Sequence, residues 1–331
     1  MSLKPDAIEM HQPTTKSSQS SPGLALYKTS YHPPPRPRYA NRKPIITERG
    51  FAWSVTLTLI LMCSIGIPLG AILPPRLVTP LPLNVLLPLY TAPEILSWQT
   101  LFDALIAHHT LNFTVIVSPR SGPGTPPFPG APYISTITRL NGNDRVRTLG
   151  YIDVAHGNRT NTSVFADIDT YAGWSKQDRF GVHGIFFDRT PAGDDDDGDA
   201  EQIAYLRNIT RYARNATGLL EPKVVAFNVG SVPSRNVSSI GADLTVVYEG
   251  AYGGVPGHGE VQGQLRNRTG KRENWGYLVH SVPKDVKRTD LRMLINDARK
   301  SVGYLFATDL SEEFYEGWGL RWNDFLELLP S

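Results

Sequence analysis

The chain has 331 residues, 33 Lys and Arg against 31 Asp and Glu, and a formal net charge of +2. That near-neutral balance argues against a nucleic-acid binder, which concentrates basic residues in its folded part, so no nucleic-acid partner is expected. Cys63 is the only cysteine, which excludes an intramolecular disulfide and any Cys-framework or Cys-ligated zinc domain.

Residues 1–50 carry eight Lys or Arg against three Asp or Glu, with Pro and Ser throughout and no helical or strand period. Such a stretch buries too little apolar surface to offset its ordering entropy, which predicts a disordered tail. Its run His32-Pro33-Pro34-Pro35-Arg36-Pro37-Arg38 is a candidate weak ligand for a polyproline-binding partner domain and otherwise a stiff linker.

Residues 51–73, FAWSVTLTLILMCSIGIPLGAIL, contain no charged side chain. About twenty apolar residues suffice to span a hydrocarbon core, so the segment predicts a transmembrane signal-anchor helix. The basic flank places the N-terminus in the cytosol, giving a single-pass type II membrane protein with the bulk of the chain extracellular or lumenal. Asn-x-Ser/Thr sequons at Asn112, Asn158, Asn161, Asn208, Asn215, Asn236 and Asn267 all lie C-terminal to this segment, as candidate glycosylation sites in the secretory lumen require. Residues 74–82 read as a short Pro-rich spacer.

From residue 83 to 331, eight short apolar runs recur at 84–90, 113–119, 147–153, 184–188, 223–229, 243–249, 275–282 and 302–309. Most are continuous in apolar residues rather than alternating, as strands covered on both faces should be. Helical patterns fall between them at 94–109, 133–140, 163–176, 201–216 and 285–300, with a last one at 312–329. The fifth and sixth connections are less helical, and the sixth is rich in glycine. Eight strand–helix units over about 250 residues match an α/β fold of the (β/α)8 TIM-like barrel type. A doubly wound open sheet would carry a Gly-rich phosphate loop after its first strand, where this chain has Tyr90-Thr91-Ala92-Pro93.

Barrels of this kind place chemistry at the C-terminal ends of the strands. Those positions hold Tyr90, Ser118, Asp153, Asp188, Asn228, Glu249, His280 and Asp309. Asp188 and Glu249 end strands two apart, and a facing carboxylate pair is the apparatus of glycoside hydrolysis. Strand-end acids also serve as helix caps or arginine partners, which is the competing role for each. Tyr90 and Tyr252 are the candidate sugar platforms among the rim aromatics Tyr133, Trp174, Tyr248 and Trp318. No G-x-S-x-G elbow, phosphate loop or H-E-x-x-H helix occurs, so neither a metal nor an organic cofactor is expected. Asp194–Asp197 is a run of four acids whose spacing matches no EF-hand.

The segments LLPLYTAPE (86–94), VIVSPRSGPG (115–124), LGYIDVAHGNR (149–159), GIFFD (184–188) and VVYEGAY (246–252) together resemble the spherulin-4 (spherulation-specific family 4) proteins. The resemblance implies a (β/α)8 barrel of the glycoside hydrolase family 135 type, cutting α-1,4-linked N-acetylgalactosamine in fungal galactosaminogalactan. It also implies a membrane-anchored, extracellular arrangement at the cell wall. The family's fourth strand usually ends in Asp-Glu and its sixth in Glu. Asp188 and Glu249 match the first and the last of these, whereas the middle position is Arg189, expected as a charge partner of Asp188. With Asp188 as nucleophile and Glu249 as general acid/base, roles that could be exchanged, the chain is an endo-glycosidase. Its substrate-binding set is then Tyr90, Asp153, Arg189, Asn228, Tyr252, His280 and Asp309, and its partner an amino-sugar polysaccharide. If the missing Glu is essential, the chain is a non-catalytic carbohydrate-binding or wall-tethering protein. A scaffold working through the Pro-rich tail is the third possibility.

Overall fold

The computed structural model describes residues 78–93, 97–194 and 200–330. The expected tail (1–50), membrane segment (51–73), residues 74–77 of the spacer and Asp195–Asp197 of the acidic run lie outside them. Among the described residues no helix is long and apolar enough to cross a membrane.

Eight parallel strands form a closed barrel in sequence order: β1 Asn84–Leu89, β2 Phe113–Val117, β3 Val146–Asp153, β4 Gly184–Asp188, β5 Val224–Asn228, β6 Leu244–Ala251, β7 Trp275–His280 and β8 Tyr304–Ala307. The barrel closes where Asn84 and Val85 pair with Tyr304 and Leu305. The helices are α1 Gln99–Ala107, α2 Ala131–Asn141, α3 Asn161–Gly173, α4 Ala200–Asn215, α5 Arg235–Ser238, α6 His258–Leu265, α7 Arg288–Ala298 and α8 Trp322–Leu328. One helix follows each strand, as the (β/α)8 pattern requires. The two weakly helical connections hold the four-residue α5 and the eight-residue α6.

Local sequence accounts for much of this. Thr160 caps α3 by accepting the Ser163 N–H, and Ser234 caps α5 by accepting the Val237 N–H. Strands β1, β2, β4 and β5 are buried along nearly their whole length, which explains their continuous apolar runs. Gly150 in β3 lies under the ring of Tyr171, where an added Cβ would come within 2.7 Å. The Tyr171 hydroxyl in turn donates to the carbonyls of Val117 and Tyr151 at 3.2 and 3.0 Å, tying α3 to two strands.

Two expectations are corrected. Trp174 is fully buried, stacked on Phe180 at 4.7 Å and against Tyr171, so it belongs to the core and not to the rim. The predicted final helix at 312–329 is helical only over Trp322–Leu328. Residues 310–321 form a loop instead. Glu313 adopts a left-handed φ of 46°, and a Cβ on Gly319 would run into Asp309 and Thr308. Tyr315 and Trp318 on this loop pack against the core, and Phe314 packs against His280 and Tyr315.

Of the sequons, Asn112, Asn158, Asn215, Asn236 and Asn267 are exposed, while Asn161 and Asn208 are half-buried in a groove between α3 and α4.

Candidate active site

Left-handed backbone conformations on non-glycine residues gather after the strand ends, at Ala155, His156, Arg189 and Ser281, with φ between 49° and 54°. Such conformations are costly and mark sites whose geometry is held by the surrounding structure. Here β3 and β4 are in register with Asp153 opposite Asp188. A register shift in β6 between Val246 and Tyr248 lies just ahead of Glu249, as bulges do where a side chain is re-aimed.

Asp188, Asn228 and Glu249 are brought together. The Asn228 Nδ2 group donates to Asp188 Oδ1 and to Glu249 Oε2, each at 2.7 Å. An amide NH2 has two hydrogens, so one nitrogen serves both carboxylates; the reversed amide would set an oxygen against two anions. These two carboxylate oxygens can be no farther apart than twice 2.7 Å. The second oxygen of each acid has its own phenol: Tyr151 donates to Asp188 Oδ2 at 2.9 Å and Tyr315 donates to Glu249 Oε1 at 2.5 Å. Burial pushes both phenols far above the usual tyrosine range, and the charges of Asp188 and Glu249 add to the shift. They therefore stay protonated and act as donors. No Lys or Arg among the described residues pairs with either carboxylate.

Tyr90 packs edge-on against Tyr151 and Tyr315, with ring centroids 5.1 and 5.5 Å apart. Its backbone N–H donates to the Tyr315 carbonyl at 3.0 Å. Burial first, then the charge of Asp188, raises its phenol as well. Tyr90 thus supports the carboxylate cluster from the floor of the mouth. His280 stacks on Phe314 at 4.0 Å and its Nδ1 meets the Ser281 hydroxyl at 2.9 Å. Burial lowers its imidazole despite the opposing charge of Glu249, so it is neutral at neutral pH.

Arg189 is not the charge partner of Asp188. Its Nε donates to Asp153 Oδ1 at 2.8 Å and its Nη2 to Asp153 Oδ2, so the pair is bidentate. Asp153 also accepts the Ala155 N–H at 2.7 Å. Burial acts to raise the Asp153 carboxyl, but the Arg189 bond, the Ala155 N–H and the nearby guanidinium charges outweigh it and hold it below the usual range. Asp309 is nearly fully buried and accepts the Arg321 N–H at 3.0 Å, ordering the turn into α8. Tyr252 lies on a 3-10 turn after β6 and lines a groove of about 540 Å³ against α7. Neither shares a hydrogen bond or ring contact with the Asp188–Asn228–Glu249 cluster among the described residues. Tyr151 and Tyr315 are the members of this cluster that the strand-end rule passed over. Tyr151 stands two residues before Asp153 on the same strand face, and that alternation was the available signal. Among the described residues, no group of three His, Cys, Asp or Glu could hold a metal ion.

A closed parallel barrel with two hydrogen-bonded carboxylates on alternate strands at its C-terminal mouth defines the glycoside hydrolase-like class of barrels. The chain belongs to the spherulation-specific family 4, whose model matches residues 84–329. It is 29% identical over 170 residues to spherulin-4 of Physarum polycephalum, a match covering 51% of this chain and 46% of that protein. The match therefore spans about half the length of that relative. The crystal structure of Sph3 from Aspergillus clavatus, solved in complex with GalNAc, superposes with a TM-score of 0.69 at 33% identity. That match covers 77% of this chain and all of the Sph3 chain.

Proposed function

We propose that the protein is an endo-acting glycosidase that hydrolyses an α-1,4-linked N-acetylgalactosamine-containing polysaccharide, such as the galactosaminogalactan of a fungal cell wall. The observation that carries this is the single Asn228 nitrogen shared by Asp188 and Glu249. Carboxyl groups about 5–5.5 Å apart suit a retaining mechanism, whereas inverting enzymes keep about 6.5–9.5 Å to admit a water. Asp188, with both oxygens hydrogen-bonded, attacks the anomeric carbon as the glycosidic C–O bond breaks. Glu249 delivers its proton to the leaving oxygen. In the second half, Glu249 takes a proton from water, whose oxygen attacks the same carbon and frees Asp188. Asn228, Tyr151 and Tyr315 are fixed donors that hold the two acids in place through both halves.

Arg189 favours this assignment over a binder without turnover, because it is engaged by Asp153 and leaves the Asp188–Asn228–Glu249 arrangement intact. The uncharged segment 51–73 and the basic flank before it support a membrane-anchored, extracellular setting for the barrel. The purified full-length chain, incubated with N-acetylated galactosaminogalactan, should generate new reducing ends that an Asp188→Asn variant does not. Saturable binding with no new ends would instead select the wall-tethering alternative.

A further inference from the structure

The seam between α3 and α4 is lined by amides and aromatic rings. Tyr205, Asn208, Tyr212 and Asn215 follow one another at intervals of three and four along α4, which sets them on one face. Asn161 and Phe165 stand four apart on α3. Phe165 stacks on Tyr212 at 3.9 Å with the ring planes 7° apart, and the Tyr212 hydroxyl donates to Asp169 at 2.9 Å. Asn161 and Asn208 line two adjoining cavities of about 310 and 500 Å³, the first walled by Phe165 and Tyr212 and the second by Tyr205. Arg211 donates to Asn208 Oδ1 at 2.7 Å, which fixes this amide and leaves its Nδ2 without a hydrogen bond among the described residues. The Asn161 Oδ1 is instead buried in the wall, with no hydrogen bond among the described residues.

We propose that this groove is the seat of an N-linked glycan carried by Asn208, whose first sugar packs between the two helices and stabilises the barrel. This rests on the extracellular setting proposed above, and it names which of the sequons contributes to stability. Asn208-Ile209-Thr210 is a complete acceptor. Transfer forms a bond from Nδ2 to the anomeric carbon of an oligosaccharide held on a lipid diphosphate. The sugar's C–O bond to the diphosphate breaks, and Nδ2 gives up one proton and keeps the other. Asn208 Oδ1 is untouched by this step, so the Arg211 bond survives it. The first sugar, an N-acetylhexosamine, has an apolar ring face and a polar edge. Phe165, Tyr205 and Tyr212 supply apolar walls of the matching kind, and the amides along the seam supply polar partners. Asn236 and Asn267, which are exposed sequons, line neither cavity.

Stability measured against occupancy tests this on the full-length chain made in a cell that attaches N-glycans. Peptide mass mapping should find Asn208 occupied. Thr210→Val abolishes the sequon while leaving Asn208 and its bond to Arg211 in place. Thr210 is buried and its hydroxyl makes no hydrogen bond among the described residues, so valine there is neutral or stabilising for the bare polypeptide. In the glycosylating cell, Thr210→Val should nevertheless remove one glycan's step in gel mobility and lower the urea midpoint by about 0.3 M. The same substitution in chain made without N-glycosylation should not lower the midpoint, and Asn236→Gln should leave it in place in either host. Asn208 unmodified while other sequons are occupied would overturn the inference and leave the extracellular setting standing. So would a Thr210→Val midpoint equal to that of the glycosylated parent. No sequon occupied at all would overturn both.

Discussion

One amide side chain organises the carboxylate cluster at the mouth of this barrel. Asn228 ends β5, between β4, which ends in Asp188, and β6, which carries Glu249 near its end, and it satisfies an oxygen of each acid. Replacing it with alanine removes the bridge and leaves the two acids facing each other with one donor fewer apiece. Asn228→Ala should lower kcat by about a hundredfold with little change in KM, in line with the loss of a preorganised donor. Steady-state kinetics on the acetylated polymer would measure it, and a loss confined to KM would contradict the assigned role. Tyr315→Phe keeps the ring against Tyr90 and deletes only the hydroxyl on Glu249. A hydrogen bond to a charged group is worth about 1.5–3 kcal/mol, so roughly a tenfold fall or more in kcat/KM is expected. At this scale the sequence was partly legible. Asp188, Glu249, Asn228 and Tyr90 stand at strand ends, where topology alone exposes them. Arg189 was misjudged because its partner is set by a left-handed backbone that residue type does not announce. Asp309 follows β8, where one of its carboxylate oxygens accepts the Arg321 N–H in a buried turn.

The strands were readable because burial on both faces leaves uninterrupted apolar runs, and the eight found in the chain coincide closely with β1–β8. The segment before α8 was not. Aromatic spacing in 312–321 mimics a helical stripe, yet those rings are drawn to the mouth and core, and Gly319 lies where a Cβ would run into Asp309 and Thr308. Trp174 was misplaced for the opposite reason, since a bulky aromatic after a helix reads equally well as rim or core. Packing between elements also gives firm expectations. Gly150→Ala would drive a methyl into the Tyr171 ring and unseat its hydrogen bonds to Val117 and Tyr151. Overpacking of this kind costs about 1–3 kcal/mol, and the urea midpoint should fall accordingly. Trp174→Ala should cost more, about 3–5 kcal/mol, by opening a cavity beside Phe180 and Tyr171. A midpoint unchanged in either variant would contradict the packing described.

For the whole molecule, acid sensitivity follows from groups whose folded values are depressed. Burial lowers the imidazoles of His183 and His258, so the unfolded chain takes up protons there first as pH falls. Their contribution is intact above the ordinary histidine value of 6.5 and is lost as pH drops from there through the folded values. Asp153 adds a second decline that begins near its ordinary value of 3.8 and completes as pH falls through its lowered folded value. Urea midpoints across this range should show both declines, and in Arg189→Gln, where the Asp153 carboxyl loses the partner that lowers it, the second should shrink. A midpoint independent of pH between 7 and 5 would contradict the first. If residues 51–73 anchor the chain with the barrel outside, alkaline carbonate should leave it in the membrane fraction and amidase removal of N-glycans should increase its mobility. Release into the supernatant with no mobility change would overturn that topology. The central claim is that Asp188 and Glu249, held by one amide nitrogen, cleave a glycosidic bond with retention. Proton NMR of the anomeric region during hydrolysis of α-1,4-linked N-acetylgalactosamine oligosaccharides by the full-length chain tests it most directly. The α-anomer should appear first and then mutarotate; a β-anomer formed first, or no new reducing end at all, would contradict the account.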